Sequence, residues 1–201
     1  MHYYPELIRK HFLNPRNVGD VDGADGIGRA GSISCGAAVR ISIRVDESQR
    51  IADAGFKAAG CSALVASASF LTEKVRNMTT GEAAAMARSP ENVIATPRAI
   101  PADRLSCLAL ACEALLSAIT QFSNAARGEW EGDEALICTC FCVSERTIER
   151  EIQRGGLQTI AEVTQACNAG AGCRSCYSLI QEMLEEHHRE ALTLTSAFEA
   201  R

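Results

Sequence analysis

Ten of the 201 residues are cysteine, and four of them fall into two close pairs, Cys138-Thr139-Cys140 and Cys173-Arg174-Ser175-Cys176. This feature constrains the fold most, because two thiol pairs far apart in sequence imply either a shared metal centre or crosslinks. Thiolate sulphur prefers zinc, Cu(I) and iron-sulphur centres to hard cations. The first seventeen residues carry Glu6, Arg9, Lys10 and Arg16 rather than an apolar leader. No stretch reads as the roughly twenty uninterrupted apolar residues that cross a bilayer. The expected setting is therefore the cytoplasm, without a membrane, where thiols stay reduced and metal binding is favoured over a disulphide framework. A net charge of −5 gives no reason to expect a nucleic-acid partner, and 47% hydrophobic with 22% charged residues describes an ordinary globular chain.

The length suits one large domain or two small ones, and a change in composition after residue 125 favours two. In 38–45, Val39, Ile41, Ile43 and Val45 alternate with Arg40, Ser42 and Arg44, the pattern of a half-buried strand. A polar turn leads to 51–58, where Ala52, Ala54, Phe56 and Ala58 alternate as an antiparallel partner that ends at Gly60-Cys61. Small residues mixed with Leu64, Val65, Leu71 and Val75 predict a helix over 62–76, and Thr80-Gly81-Glu82 opens another. Pro90, Pro97 and Pro101 make 89–103 extended or looped chain. Leu105, Leu108, Cys112, Leu115, Leu116, Ile119 and Phe122 then mark one apolar helix face.

Residues 123–134 read as an exposed linker, with Trp130 able to dock on either side. Beyond it, Ser144 caps a helix that ends at Gly155-Gly156, Thr159-Ile160-Ala161-Glu162 is a capping box, and a third helix starts near Cys176. The expected organisation is a first domain over 1–127, a linker over 128–135, a small second domain over 136–185 and a polar tail over 186–201. His187 and His188 in that tail read as a solvated helix end.

A Cys-x-Cys pair leaving an extended segment puts both sulphurs on one side, because the side-chain period of a strand is two. Cys173-x-x-Cys176 fits the turn before a helix, and Gly170-Ala171-Gly172 lets backbone N–H groups face an anionic centre. Four such thiolates suit either one tetrahedral zinc or a [2Fe-2S] rhomb, and spacing does not separate the two. Cys142 continues the alternation and is either a substitute ligand or a packed thiol, while Cys167 reads as a core residue. Cys35 precedes the first clear strand, Cys61 stands at a helix N-terminus and Cys107 at the start of the long apolar helix. Thiols in such places are expected to be acidified by helix dipoles and free N–H groups.

The run from Ile137-Cys138-Thr139-Cys140 through Thr164 and Gly170 to Cys176 resembles the bacterioferritin-associated-ferredoxin-like [2Fe-2S] domain. That resemblance implies a permanent [2Fe-2S] cluster on Cys138, Cys140, Cys173 and Cys176. His11 through Gly19, Cys35-Gly36, Gly60-Cys61, Ala66 to Ser69, Leu71-Thr72-Glu73 and Cys107 together resemble the IscU/NifU N-terminal scaffold family. The fold implied is α+β, a small antiparallel sheet packed with helices, followed by a small mostly α [2Fe-2S] domain. The function implied is a scaffold rather than an enzyme. It takes sulphur from a cysteine desulphurase of the NifS/IscS kind and builds a transient [2Fe-2S] or [4Fe-4S] cluster from iron on Cys35, Cys61 and Cys107. It then passes the cluster to apo iron-sulphur proteins, with nitrogenase components among the candidates and a homodimer as the working form. The alternative is a ferredoxin-like electron carrier whose first domain is a degenerate docking platform. A nucleophilic pair of Cys107 and His11 lacks any third group to orient it.

The chain departs from the scaffold pattern at two positions. Ala37 stands where the family usually has Asp, and Ser106 where it usually has His. Neither replaces a fourth metal ligand, so the first site is expected to hold mononuclear zinc poorly and to draw its fourth ligand from outside. Cys112 is the internal alternative, but five residues turn a helix by about 500°, which points it away from Cys107.

Overall fold

A computed structural model of the chain describes residues 5–46, 49–93, 100–128 and 134–199. Two compact units emerge, Met1–Ala125 and Ala126–Arg201. In the first, β1 (Gly26–Ser32), β2 (Ala37–Val45) and β3 (Ile51–Ala59) form an antiparallel sheet in that order. Ile41 faces both Gly28 and Phe56, and Val39 both Ala30 and Ala58. The alternation read from β2 and β3 holds in part: Val39, Ile41, Ile43, Ala54 and Phe56 are buried, Val45, Ala52 and Ala58 are half-buried, and Ser42, read on the open face, is buried as well.

The sequence reading missed β1. Its core-facing positions are Gly26 and Gly28, so no apolar alternation marks it. A Cβ on Gly28 would lie 1.9 Å from the Ala114 carbonyl oxygen, and one on Gly26 would lie 2.3 Å from that of Ala118. The strand is glycine-rich because a helix backbone lies directly against it. That helix is α5 (Leu105–Gly128), and its Gln121 side chain accepts a 2.6 Å hydrogen bond from the Ile27 N–H on the outer edge of β1.

Over Ala102–Gly128 the chain is long and apolar enough to cross a membrane by length and composition, with a window of mean hydropathy 1.6. This corrects the expectation that no such stretch exists. Leu108, Ala111, Cys112, Ala114, Leu115, Ala118 and Ile119 form the helix's buried stripe. Together with the close approach to β1, that stripe makes α5 the core helix of the first unit.

Opposite β1, the edge of β3 is closed by the N-terminal segment. Phe56 N–H bonds the Asn17 carbonyl at 2.9 Å, and Gly19 N–H bonds the Phe56 carbonyl at 2.8 Å. Helix α1 (Glu6–Leu13) lies on α2 (Ser62–Lys74). Buried His11 meets the Ser69 hydroxyl at 2.9 Å and the Phe70 ring edge-on at 5.6 Å, and Arg16 pairs with Glu73. Burial holds the His11 imidazole below its usual pKa against the opposing pull of Glu73. These contacts involve the residues that carry the family resemblance, and their role here is to pin α1 to α2.

Helix α3 (Thr80–Ala87) opens with a capping box between Thr79 and Glu82. The stretch expected to be looped over 89–103 contains a short helix α4 (Pro90–Val93) and a 3-10 turn (Ala102–Arg104), with Pro90 at the first helical position where it lacks nothing. Among the described residues, Ser67 Oγ is the buried side-chain oxygen or nitrogen atom without a hydrogen-bond partner. Ser67→Ala is expected to raise stability by about 1 kcal/mol, through removal of an unpaired hydroxyl and a gain in helix propensity. A urea midpoint lower than the parent's would show that the hydroxyl has an internal partner after all.

The second unit pairs β4 (Leu136–Cys138) with β5 (Val143–Ser144) and packs α6 (Glu145–Gly155), α7 (Ile160–Cys167) and α8 (Tyr177–Glu199) around Ile148, Ile152, Val163, Ile180 and Leu184. Ser144 caps α6, Gly156 ends it at φ 58°, and Thr159 with Glu162 forms the capping box of α7, all as read from the sequence. Two boundaries differ. Helix α5 runs to Gly128, through the start of the expected linker, because Ala125, Ala126 and Arg127 are strong helix formers. The expected polar tail continues α8 to Glu199. Trp130 lies outside the described residues.

Candidate metal centres

In the first unit two sulphurs meet across a gap of 46 residues. Cys61 is the N-cap of α2 with an extended backbone (φ −75°, ψ 164°), and Cys107 sits in the first turn of α5. Their Sγ atoms are 3.4 Å apart. Two thiolates on one tetrahedral metal at about 2.3 Å each stand about 3.8 Å apart, so this pair needs little movement to share an ion.

Cys35 is exposed in the turn between β1 and β2, where the Ser32 hydroxyl and the Ala37 N–H bond its sulphur and hold its pKa below the ordinary thiol value. At Cys61, burial pushes the pKa up, but the Leu64 N–H, the Cys107 thiol and the nearby Arg104 outweigh it and the net shift is downward. Cys107 breaks the expectation of an acidified thiol: burial, reinforced by Cys61, pushes it up to about 11. Of the pair, Cys61 is the readier thiolate.

The two departures from the scaffold pattern lie close to these thiols in sequence. Ala37 is buried, and its Cβ would lie 3.1 Å from a Cβ placed on Gly60, the neighbour of Cys61. Ser106 is exposed. Cys112 is 1% exposed and its thiol is pushed up to about 12 by burial, a core residue as its helical phase predicted.

In the second unit Cys138 ends β4 and is buried, as is Cys176 just before α8, and the two thiols hydrogen-bond. Cys140 donates to Cys173 with 3.4 Å between sulphurs. Two contacts thus link the first thiol pair in sequence to the second, Cys138 with Cys176 and Cys140 with Cys173. Cys173 is exposed and lowered to about 7 by the Ser175 hydroxyl, 3.0 Å from its sulphur, and by the Ser175 N–H. Cys176 is pushed up to about 11 by burial and by Cys138.

Gly172 explains part of the glycine run, since a Cβ there would lie 2.8 Å from the Cys140 sulphur. Gly170 turns at φ 84° and offers its N–H to the Cys176 sulphur. Cys142 is partly exposed in a left-handed conformation (φ 55°). Cys167 is buried and donates to the Val163 carbonyl at 3.3 Å. Among the described residues, no group of three or more His, Cys, Asp or Glu side chains is arranged to hold a single ion. The serine hydroxyls beside Cys35 and Cys173 went unremarked in the sequence, where a serine within three residues of each cysteine was the available signal.

Residues 3–128 match the family model described as the NifU-like N-terminal domain. The chain belongs to that family. Residues 136–186 match the BFD-like [2Fe-2S] binding domain. The nitrogen fixation protein NifU of Azospirillum brasilense is 33% identical over 184 residues, covering 90% of this chain and 59% of that one. The iron-sulfur cluster assembly scaffold protein IscU of Haemophilus influenzae is 37% identical over 122 residues, covering 59% of this chain and 94% of that one. A solved structure described as a putative iron-sulfur cluster assembly scaffold protein for the SUF system, from Fervidobacterium islandicum, aligns over 58% of this chain and 96% of its own with a TM-score of 0.49 and 22% identity. This member of the family thus spans about three fifths of the length of the NifU relative it matches.

Proposed function

We propose that this protein is an iron-sulphur cluster assembly scaffold of the cytoplasm, with no substrate turnover of its own. The observation that carries the reading is the approach of Cys61 and Cys107 to 3.4 Å from two different helix N-termini. In the proposal Cys35, Cys61 and Cys107 form the assembly site. Iron and sulphur are its cargo, the sulphur coming from a cysteine desulphurase and the finished cluster going to apo iron-sulphur proteins, nitrogenase components among the candidates. Cys61, already lowered, binds iron first; Cys107 gives up its proton as iron replaces it. The exposed Cys35 is the thiol that incoming donors and clients reach.

Cys138, Cys140, Cys173 and Cys176 hold a permanent [2Fe-2S] centre in the same proposal. The fit rests on the paired sulphurs, on Gly172, which leaves room against Cys140, and on the N–H groups of Gly170 and Ser175 directed at sulphur. Such a centre supplies one-electron transfer. The protein's part is to keep Cys138 and Cys176 away from water while Cys173 stays at the surface.

The test is iron and acid-labile sulphide per chain on anaerobically purified protein, before and after reconstitution with iron, cysteine and a desulphurase. About two iron as isolated, rising on reconstitution and falling when apo-ferredoxin is added, is expected. Iron that never rises above two would replace the scaffold with a ferredoxin-like carrier, a reading that the loss of both oxygen and nitrogen ligands at Ala37 and Ser106 favours. Zinc without iron would remove both.

A further inference from the structure

The segments that carry the four thiols of the second unit are almost free of charge. In residues 135–144 and 163–181 a single side chain, Arg174, is charged at neutral pH. It stands between Cys173 and Cys176, and its backbone is left-handed at φ 65°. Glycine or asparagine usually takes that conformation, and a long side chain there costs stability. Backbone strain of this kind collects at working sites.

The Arg174 side chain does not serve the neighbouring thiols. Cys173 has its sulphur partners in the Ser175 hydroxyl at 3.0 Å and in Cys140 at 3.4 Å. The guanidinium lies instead over the Tyr177 ring, 6.0 Å from its centroid. That ring rests in turn on Gly170, where a Cβ would come within 2.6 Å of a ring carbon. Among the described residues Arg174 has no carboxylate partner. A guanidinium stacked on an aromatic ring is preorganised and keeps its N–H donors for an external acceptor. Cys173 and Ser175 beside it are exposed, and one helical turn further on Leu179 is 44% exposed.

Resting on the reading of these thiols as a [2Fe-2S] centre, we propose that Arg174, Ser175 and Leu179 form the docking face for a protein electron donor whose own cofactor is rimmed by carboxylates. Arg174 meets the acidic rim, Leu179 is the apolar contact and Cys173 is the thiol nearest the partner. One electron crosses at this edge: the partner's cofactor is oxidised by one electron, one ferric ion of the centre becomes ferrous, and no bond to a thiol forms or breaks. A lone cation in an uncharged collar gives orientation as well as attraction, since no second charge beside it competes for the partner. Further along α8 the chain turns acidic at Glu182, Glu185 and Glu186, which repels the same partner there.

The experiment mixes the full chain, anaerobic and oxidised, with fully reduced flavodoxin, an acidic one-electron donor, in stopped flow at low and high salt. The parent is expected to be reduced at a rate that falls with ionic strength. Arg174→Gln slows the low-salt rate about tenfold and Arg174→Glu slows it further, and the differences close at high salt. Arg174→Lys, which restores the charge without the planar stack, recovers part of the rate. Photoreduced deazaflavin, a small uncharged donor, reduces all four proteins alike, and their visible spectra coincide. Fluorescence anisotropy of labelled oxidised flavodoxin reads the same complex without electron transfer, and Arg174→Glu is expected to abolish the low-salt binding.

Equal flavodoxin rates for the parent and Arg174→Glu overturn the docking face and leave the [2Fe-2S] reading standing. An equal slowing with deazaflavin overturns it too, by making Arg174 a determinant of the centre's potential. A parent chain without the visible absorption of a [2Fe-2S] centre overturns the reading on which the face rests, and the face with it.

Discussion

Gly28→Val is expected to lower the stability of the first unit by about 4 kcal/mol or more, among the larger effects a single substitution produces. The cause is backbone against backbone. A Cβ at position 28 would stand 1.9 Å from the Ala114 carbonyl oxygen and 2.3 Å from the Ala118 nitrogen, and neither atom can swing aside as a side-chain tip would. Either β1 leaves α5, breaking its pairing with β2 and the Ile27–Gln121 hydrogen bond, or α5 moves and opens the core around Leu115 and Ile119. Against a typical total of roughly 5–15 kcal/mol, that loss leaves a sizeable unfolded fraction at room temperature. Gly31→Val on the same strand is the control, because a Cβ there meets nothing nearer than the Ala37 carbonyl oxygen at 3.6 Å. Urea unfolding followed by far-ultraviolet circular dichroism measures both, with the visible absorption of the second unit reporting that the damage is confined to the first. Equal midpoints for the two variants would mean that β1 does not rest on α5.

The same two glycines show why β1 could not be read from the sequence while its partner β2 could. A strand declares itself by side chains that alternate, and β2 does so through Val39, Ile41 and Ile43. At Gly26 and Gly28 the requirement is the absence of a side chain, set by a helix about ninety residues later in the chain. Signals confined to a few residues were legible: the Ser144 cap, the box of Thr159 with Glu162, and the left-handed stop at Gly156. The small domain's thiols were legible as two sequence pairs, yet the structure pairs them across those sequence neighbours, Cys138 with Cys176 and Cys140 with Cys173. At the first site the family resemblance named three cysteines together, but nothing local indicated that Cys61 and Cys107 would stand closest. The misjudged acidity of Cys107 has a related cause. Position at the start of a helix is visible in sequence, whereas the burial that pushes the thiol up to about 11 depends on what packs over it.

Replacing either buried thiol of the second unit, by Cys138→Ala or Cys176→Ala, is expected to abolish its visible absorption and unfold the unit, while Cys142→Ala and Cys167→Ala keep the colour. Three helices packed around Ile148, Ile152, Val163, Ile180 and Leu184 cannot by themselves offset the chain entropy of a domain this small. In the proposed function a metal centre that binds only the folded form supplies the difference, and for structural zinc in small domains the binding free energy is about 10–16 kcal/mol. Cys138 and Cys176 are the pair withdrawn from water, at 2% and 4% exposure, so losing one strips an iron of a ligand that solvent cannot readily replace. Cys140 and Cys173 lie at the surface side, and there a serine oxygen or an external thiol has access. Cys140→Ser is therefore expected to leave a shifted, weaker spectrum, and the contrast with Cys176→Ala separates loss of a ligand from loss of the fold. Cys167→Ala costs packing alone, because its thiol is occupied with the Val163 carbonyl. Circular dichroism of the helices of the second unit, read with visible absorption and iron content for each variant, checks the assignment. Full colour in Cys176→Ala would place the centre on another set of thiols, with Cys142 the first to examine.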